Sequence, residues 1–254
     1  MINNHIPSNH PRAKSLYIRN LLVTGFKSGL VVPEGLLAHG RGEAFDYLIG
    51  EHTSVYALHA IKAASSLLLL ADHPVISVNG NSAALCAREM VELANYSSAF
   101  LEVNLFYKSR NREYLISETL KKNGANIVLG LDKKNSIDII DLTSSRRHVD
   151  LEGIYKADVV LVPLEDGDRT SALIKMKKKV ITIDLNPLSR TAQSATISII
   201  DNIVRTMPYL VETTKKIKNM KRSSLEKIVE EYDNQYNLDK SIKLIRGNAS
   251  SKRR

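Results

Sequence analysis

The sequence predicts an α/β fold, a mostly parallel sheet covered by helices on both faces, with further helices at each end of the chain. Three observations carry that prediction. Six short apolar, β-branched runs recur between residues 75 and 200. Stretches of helical character separate them, and longer helical stretches flank the whole set. Alternation of this kind is the pattern of βαβ units, and strands buried on both faces read as continuous apolar runs.

Taken in order, Asn9 is a candidate cap for a first helix over about 10–30, and a second, dense in Ala and Leu, runs over about 54–71. The strand candidates are 75–78, 101–106, 127–129, 159–164, 180–183 and 195–200. Helices are expected between them at 82–95, 110–122 and 170–177, and after them at about 203–219, 224–235 and 239–246. Residues 131–150 show no period and read as loop. With no repeat and no Gly/Ser/Pro linker, residues 1–246 read as one domain: a helical part to about 72, a sheet core over about 73–202, then C-terminal helices. A disordered basic tail is expected over 247–254.

The 254 residues are 43% hydrophobic and 25% charged, which excludes a disordered chain. A membrane helix needs about 20 mostly apolar residues. The best run, 63–71, is interrupted by His73 and charge, so no span is expected. The first seven residues lack the basic and apolar regions of a secretory signal. A single cysteine, Cys86, excludes disulfide frameworks, redox pairs and thiolate zinc sites, and implies a reducing cytoplasm. The net charge of +9 is uneven: residues 205–254 hold 13 Lys and Arg against 6 Asp and Glu, a balance of +7, leaving +2 for the rest. These basic residues (Lys215, Lys216, Lys218, Lys221, Arg222) fall on expected helices without the interleaved aromatics of a nucleic-acid surface. They read as solvated helix faces, with nucleic acid not expected as a partner.

The segments at the strand ends are more informative. The first strand runs into Asn79-Gly80-Asn81, the fourth into Glu165-Asp166-Gly167-Asp168-Arg169, the fifth into Asp184-Leu185-Asn186-Pro187 and the sixth into Asp201-Asn202. Asp and Asn are ordinary turn and cap residues one at a time. In a parallel sheet, however, all carboxyl ends share one edge, where open α/β sheets bind ligands. Helices starting after Asn79-Gly80-Asn81 and after Asp168-Arg169 would offer free N–H groups to an anion, so a nucleotide or phosphorylated metabolite is the expected occupant.

A second feature is Ala38-His39-Gly40-Arg41-Gly42-Glu43-Ala44-Phe45-Asp46, where two glycines around an arginine suggest a phosphate cradle. It is not a dinucleotide fingerprint, since Phe45 takes the third glycine position, and Gly25-Phe26-Lys27-Ser28 is not a P-loop. Arg19 lies beside the apolar stripe of the first helix, with Leu16, Leu22 and Val23 as neighbours, and needs an anionic partner or a path to water. His39 is a candidate acid or base, the other six histidines lack metal-ligand spacing, and Cys86 reads as a small core residue.

Several stretches together carry a resemblance: Ser8-Asn9-His10-Pro11-Arg12, the long run Gly35 to Glu51, His73 to Asn81, Ala157 to Thr170, Asp184 to Arg190, and Asp201 to Arg205. In these the chain resembles the archaeal phosphopantothenate synthetases, or 4-phosphopantoate:beta-alanine ligases, over nearly its whole length. The resemblance implies a Rossmann-like core, a cytoplasmic homodimer, and ATP-dependent amide formation in coenzyme A biosynthesis. Phosphopantoate, beta-alanine and ATP would give phosphopantothenate, AMP and pyrophosphate. It implies ATP contacts at Arg19, Arg41, Asp184, Leu185, Asn186, Arg190, Thr191, Asn202 and Ile203.

The chemistry then needs groups that neutralise phosphoryl oxygens, for which Arg19, Arg41 and a magnesium ion are suited. Asp166 or Asp168 could offer that ion a hard oxygen ligand, which places Asp168 with Arg41 and His39 among the candidate catalytic groups. The substrate's phosphate would suit Asn79, Gly80, Asn81 and Arg169. Two rival readings use the same residues: a non-catalytic nucleotide- or nucleic-acid-binding regulator that employs the basic C-terminus, and a phospho-metabolite isomerase that needs no ATP.

Overall fold

The computed structural model describes residue 7 and residues 9–251; positions 1–6, part of the stretch tested for a signal, and the terminal 252–254 lie outside the described residues. Three helices come first, α1 (Ala13–Lys27), α2 (Pro33–Ile49) and α3 (Val55–Leu70). The core continues as β1 (Pro74–Val78), α4 (Gly80–Ser97), β2 (Phe100–Val103), α5 (Arg110–Lys122), the short strands β3 (Ser136–Asp138) and β4 (His148–Asp150), β5 (Val159–Pro163), α6 (Gly167–Lys175), β6 (Lys179–Ile183), α7 (Arg190–Ser194) and β7 (Ile197–Ile199). Helices α8 (Ile203–Ile217), α9 (Arg222–Glu230) and α10 (Asn234–Ser251) complete the chain. No helix among the described residues is long and apolar enough to cross a membrane.

The main sheet is parallel throughout, in the order β2-β1-β5-β6-β7. With the separate β3–β4 pair set aside, this is the 2-1-3-4-5 order of a doubly wound sheet, whose direction of winding reverses beside β1. Alternate side chains serve the two faces, as the two-residue period of a strand requires. Ile76, Val78, Leu101, Val103, Leu161, Ile181, Ile183, Ile197 and Ile199 join the core formed with α3, α4, α5 and α8. Val75, Val160, Val162 and Val180 face the other way, onto Ile139, Leu142, Val149, Ile154, Ala172 and Leu173. The expected α/β sheet covered on both faces is what forms.

Several local expectations are corrected. The first helix begins at Ala13 with Arg12 at its cap position and no side-chain cap, so Asn9 does not start it. The 127–129 run is a single bridge, Leu129 to Glu102, because only one register position pairs at that sheet edge. Residues 131–150 are not loop throughout: β3 and β4 pair antiparallel, with Ile137 opposite Val149. The last helix spans Asn234 to Ser251, so positions 247–251 are helical rather than tail, and Asn248 donates to the carbonyls of Leu48 and Ile49 at 3.0 and 2.9 Å. Lys215, Lys216, Lys218, Lys221 and Arg222 are exposed as expected; Lys216 pairs with Glu212, while Lys215 and Lys218 lie over the Tyr96 ring.

Under the site lies an unusual buried carboxyl. Glu102 on β2 accepts from the backbone N–H groups of Asp150 (3.1 Å) and Ile154 (2.6 Å), the latter in a single π-turn over Leu151–Tyr155. Burial pushes its carboxyl up to about 7 despite those bonds. A carboxyl raised in the fold binds its proton more tightly folded than unfolded. Its contribution is therefore complete below the ordinary value of 4.5 and lost as pH rises towards about 7, a change of about 3 kcal/mol. Urea unfolding should show stability falling between pH 5 and pH 7, and Glu102→Gln, which cannot ionise, should flatten that slope. An unchanged slope in the variant would assign the pH dependence to other groups.

Candidate active site

The carboxyl ends of the strands open into a cavity of about 450 Å³. Asn79, Gly80 and Asn81 line it from the end of β1, Leu105 to Tyr107 from beyond β2, and Leu164 and Glu165 from the end of β5. Asp184, Leu185, Asn186, Ser189 and Thr191 come after β6, and Asn202 and Ile203 after β7. Opposite the sheet edge, α2 closes the cavity with Gly35, Ala38, His39, Arg41, Gly42 and Phe45. The glycine-containing stretch that read as a phosphate cradle lies within this helix. Pro33 occupies the first turn of α2, and Gly50 ends it in the left-handed region at φ 101°.

Two anchors hold α2 over the sheet. At its C-terminal half, buried Asp46 accepts from Asn202 Nδ2 (2.7 Å) and from Arg205 Nη1 and Nη2 (3.1 and 2.5 Å). Arg205 also bonds Asp201, which receives Thr53 Oγ1 at 2.6 Å. At its N-terminal half, Asn81 Nδ2 donates to the Gly35 carbonyl at 2.8 Å. The strand ends are tied together too: Asn79 Nδ2 donates to Pro163 O at 2.9 Å, and the Asn79 side chain accepts from Ser82 N to cap α4.

The turn after β6 is internally bonded. Asp184 accepts from Asn186 N (2.9 Å) and Ser189 Oγ (2.5 Å). Burial raises its pKa above the ordinary value, opposed by those bonds and by nearby Arg41. Thr191 Oγ1 donates to Glu165 O at 3.0 Å, joining this turn to the end of β5. His39 sits one helical turn before Glu43. Burial lowers its pKa, and Arg19 adds to the lowering while Glu43 and Asp46 oppose it. Its Nε2 is enclosed with no hydrogen-bond partner, so a neutral imidazole stands in the cavity wall.

Of the residues singled out from sequence, Arg41, His39, Asn79, Gly80, Asn81, Asp184, Leu185, Asn186, Thr191, Asn202 and Ile203 share this wall. Arg19 and Arg190 do not. Arg19 donates from Nε to Glu43 at 2.9 Å, a carboxylate also bonded by Tyr47, and Arg190 pairs with Asp168 on the surface. Arg169 is corrected as a direct phosphate contact, because it is fully enclosed, donating to Ser77 Oγ at 3.0 Å and to Glu165. Asp166 and Asp168 do not fit a magnesium site on this cavity. Asp166 caps α6 by accepting from Arg169 N at 2.9 Å, Asp168 is paired with Arg190 at an exposed position, and neither lines the wall. Among the described residues no group of three or more His, Cys, Asp or Glu could hold a metal.

Arg112 and Arg146 were missed, whereas Glu165, part of the segment expected at this edge after the fourth strand candidate, does line the cavity. Arg146 lies in the segment without period and Arg112 on an ordinary amphipathic helix, so their only sequence signal is charge. Cys86 is buried as expected, with its thiol pKa raised by burial.

Fold and cavity define the class: a doubly wound α/β protein with a ligand crevice at its topological switch point. The comparisons narrow it. The phosphopantothenate/pantothenate synthetase family profile matches residues 56–248. The chain is 53% identical over 231 residues to the 4-phosphopantoate--beta-alanine ligase of Thermococcus kodakarensis, covering 91% of this chain and 88% of that one. It is 51% identical over 242 residues to the protein of the same name from Thermococcus onnurineus, covering 95% of this chain and 92% of that one. With its namesake from Methanosarcina mazei the identity is 50% over 240 residues, 94% of each chain. The chain belongs to the phosphopantothenate/pantothenate synthetase family.

The anchoring of α2 is directly testable. Asp46→Ala leaves Arg205 and Asn202 without their shared carboxylate and should cost about 3 kcal/mol in urea unfolding. A loss below about 0.5 kcal/mol would remove Asp46 from that role.

Proposed function

We propose that the chain condenses 4-phosphopantoate with beta-alanine, using ATP and releasing AMP and pyrophosphate. The observation that carries this reading is the cavity itself. It brings Arg41 and His39 from α2 to the turns after β1, β5, β6 and β7, where a carboxylic acid and a nucleotide can meet. The extent and identity of the match to the named ligases support the same substrates.

A carboxylate is a poor acyl donor, so it must first be activated. Its oxygen attacks the α-phosphorus of ATP, the bond to pyrophosphate breaks, and an acyl adenylate results. Arg41, placed on α2 beside Asp184, supplies positive charge where two anions approach. The Asp184-Leu185-Asn186 turn, Thr191, Asn202 and Ile203 hold the nucleotide on the β6–β7 half of the cavity. Arg19 and Arg190 reach ATP only by exchanging Glu43 and Asp168 for phosphate oxygens. Magnesium travels on the ATP phosphates, as this ion is commonly held. The amine of beta-alanine then attacks the acyl carbon, the bond to AMP breaks, and the ammonium proton passes to His39, whose lowered pKa keeps its imidazole neutral at pH 7.

The protein acts as a homodimer in the cytoplasm on this reading. Exposed apolar side chains on the N-terminal helices, among them Tyr17, Leu37, Val55 and Leu58, support self-association, and the lone buried thiol of Cys86 supports a reducing compartment.

With all three substrates the nucleotide product should be AMP; ADP would mean an acyl phosphate. Arg41→Ala should fold and lose roughly 10² to 10³ in rate, and wild-type turnover would remove Arg41 from the site. His39→Gln should still release pyrophosphate without beta-alanine but lose about 10²-fold in amide formation. Because burial lowers the His39 pKa below its ordinary 6.5, protonation of His39 should add an acidic limb to the wild-type amide step below that pH. An unchanged acidic limb in His39→Gln would assign the proton elsewhere.

A further inference from the structure

A second cavity, of about 260 Å³, opens between α3, α9 and α10 and shares no lining residue with the first. Its two sides carry opposite charge. Tyr56, His59 and Lys62 recur every third residue and so project from one side of α3. The other side holds Glu231 and Asp233, from the turn between α9 and α10. Among the described residues Lys62 and Asp233 have no ion pair, and exposed Glu231 has only Lys227 at 3.6 Å. Opposite charges that line one cavity without pairing are complementary to a molecule that carries both.

Three observations orient that molecule. Asn237, in the first turn of α10, lines the cavity and is only 2% exposed. Its Nδ2 donates to Ser198 O on β7 at 2.7 Å, which fixes the amide, while its enclosed Oδ1 has no partner among the described residues. A buried acceptor without a donor is costly, and a ligand N–H satisfies it. Next, Glu231 and Asp233 follow the C-terminus of α9, whose carbonyl end favours positive charge. Finally, Tyr56 and Tyr236 meet edge to face with centroids 6.4 Å apart, and Lys240 Nζ, 4.9 Å from the Tyr236 centroid, shows that these rings attract a cation. An ammonium therefore suits the α9–α10 side. A carboxylate suits Lys62 and His59.

We propose that this cavity binds a small zwitterionic amino acid, with its ammonium towards Asn237 Oδ1, Glu231 and Asp233 and its carboxylate towards Lys62 and His59. The site is separate from the proposed reaction cavity and does not depend on the ligase reading.

The test is calorimetric titration of the full chain, without ATP, using beta-alanine and its one-ended analogues propionate and propylamine. The proteins are wild type, Lys62→Gln, Asp233→Asn and, as a control in the first cavity, Arg41→Ala. Thermal melts report folding; Gln suits a helix, and Asn keeps the acceptor that Asp233 offers to Tyr236 N. Beta-alanine should bind wild type and Arg41→Ala alike and bind each of the other two variants about tenfold more weakly. Propionate and propylamine should each bind wild type at least about tenfold more weakly than beta-alanine. No saturable binding to wild type, unchanged binding in Lys62→Gln and Asp233→Asn, loss in Arg41→Ala, or equal binding of a one-ended analogue would each overturn the site. A protein that binds beta-alanine here but makes no AMP from the three substrates would keep this site and overturn the ligase reading.

Discussion

The arrangement depends on one constraint: α2 must lie across the carboxyl edge of the sheet. A parallel sheet delivers its loops to that edge without further help, because every strand points the same way. It does not deliver a roof. The roof is supplied by Asp46, whose buried carboxylate binds Arg205 and Asn202 at the start of α8, and by Asn81, which holds Gly35 at the other end of α2. Arg41 and His39 stand between these two anchors, so they are positioned in part by Asp46 and Arg205, which take no part in the proposed chemistry.

Those anchors also divide the cavity. The β6–β7 half presents a self-bonded turn and the cap of α8, groups that offer hydrogen bonds with little net charge. The β2–β1 half presents the buried guanidinium of Arg146, the half-buried one of Arg112 and a helix start. Between them Glu165 comes after Leu164, which adopts φ 53°, an uncommon conformation for a residue of this kind and one that turns the chain sharply at the end of β5. Glu165 then binds both Arg146 and Arg169, while its carbonyl receives Thr191. One residue thus connects the floor of one half to the turn after β6 in the other.

Much of the fold was legible because its strands are short apolar runs with turn residues after them. Arg110–Lys122 is found with the expected bounds, and the four strand-end turns do converge on one cavity. The failures have physical causes. No helix was assigned over 33–49, where Gly40 and Gly42 each weaken a helix by about 1 kcal/mol, yet the Pro33 start and the Asp46 anchor outweigh that. Residues 131–150 read as loop because strands of three residues are too short to show a period. Arg146 enters the cavity from that segment, carried by contacts distant in sequence: Asn104 Nδ2 bonds the carbonyls of Arg146 and His148. Arg169 looked like a ligand contact because it lies just past a strand end, but its position on α6 turns it inward.

The most direct test of adenylate chemistry in this cavity is isotope exchange between pyrophosphate and ATP, with 4-phosphopantoate present and beta-alanine absent. Reversible formation of an acyl adenylate predicts exchange that requires the acid but not the amine. Absence of exchange under those conditions, with product still formed once beta-alanine is added, would contradict the account.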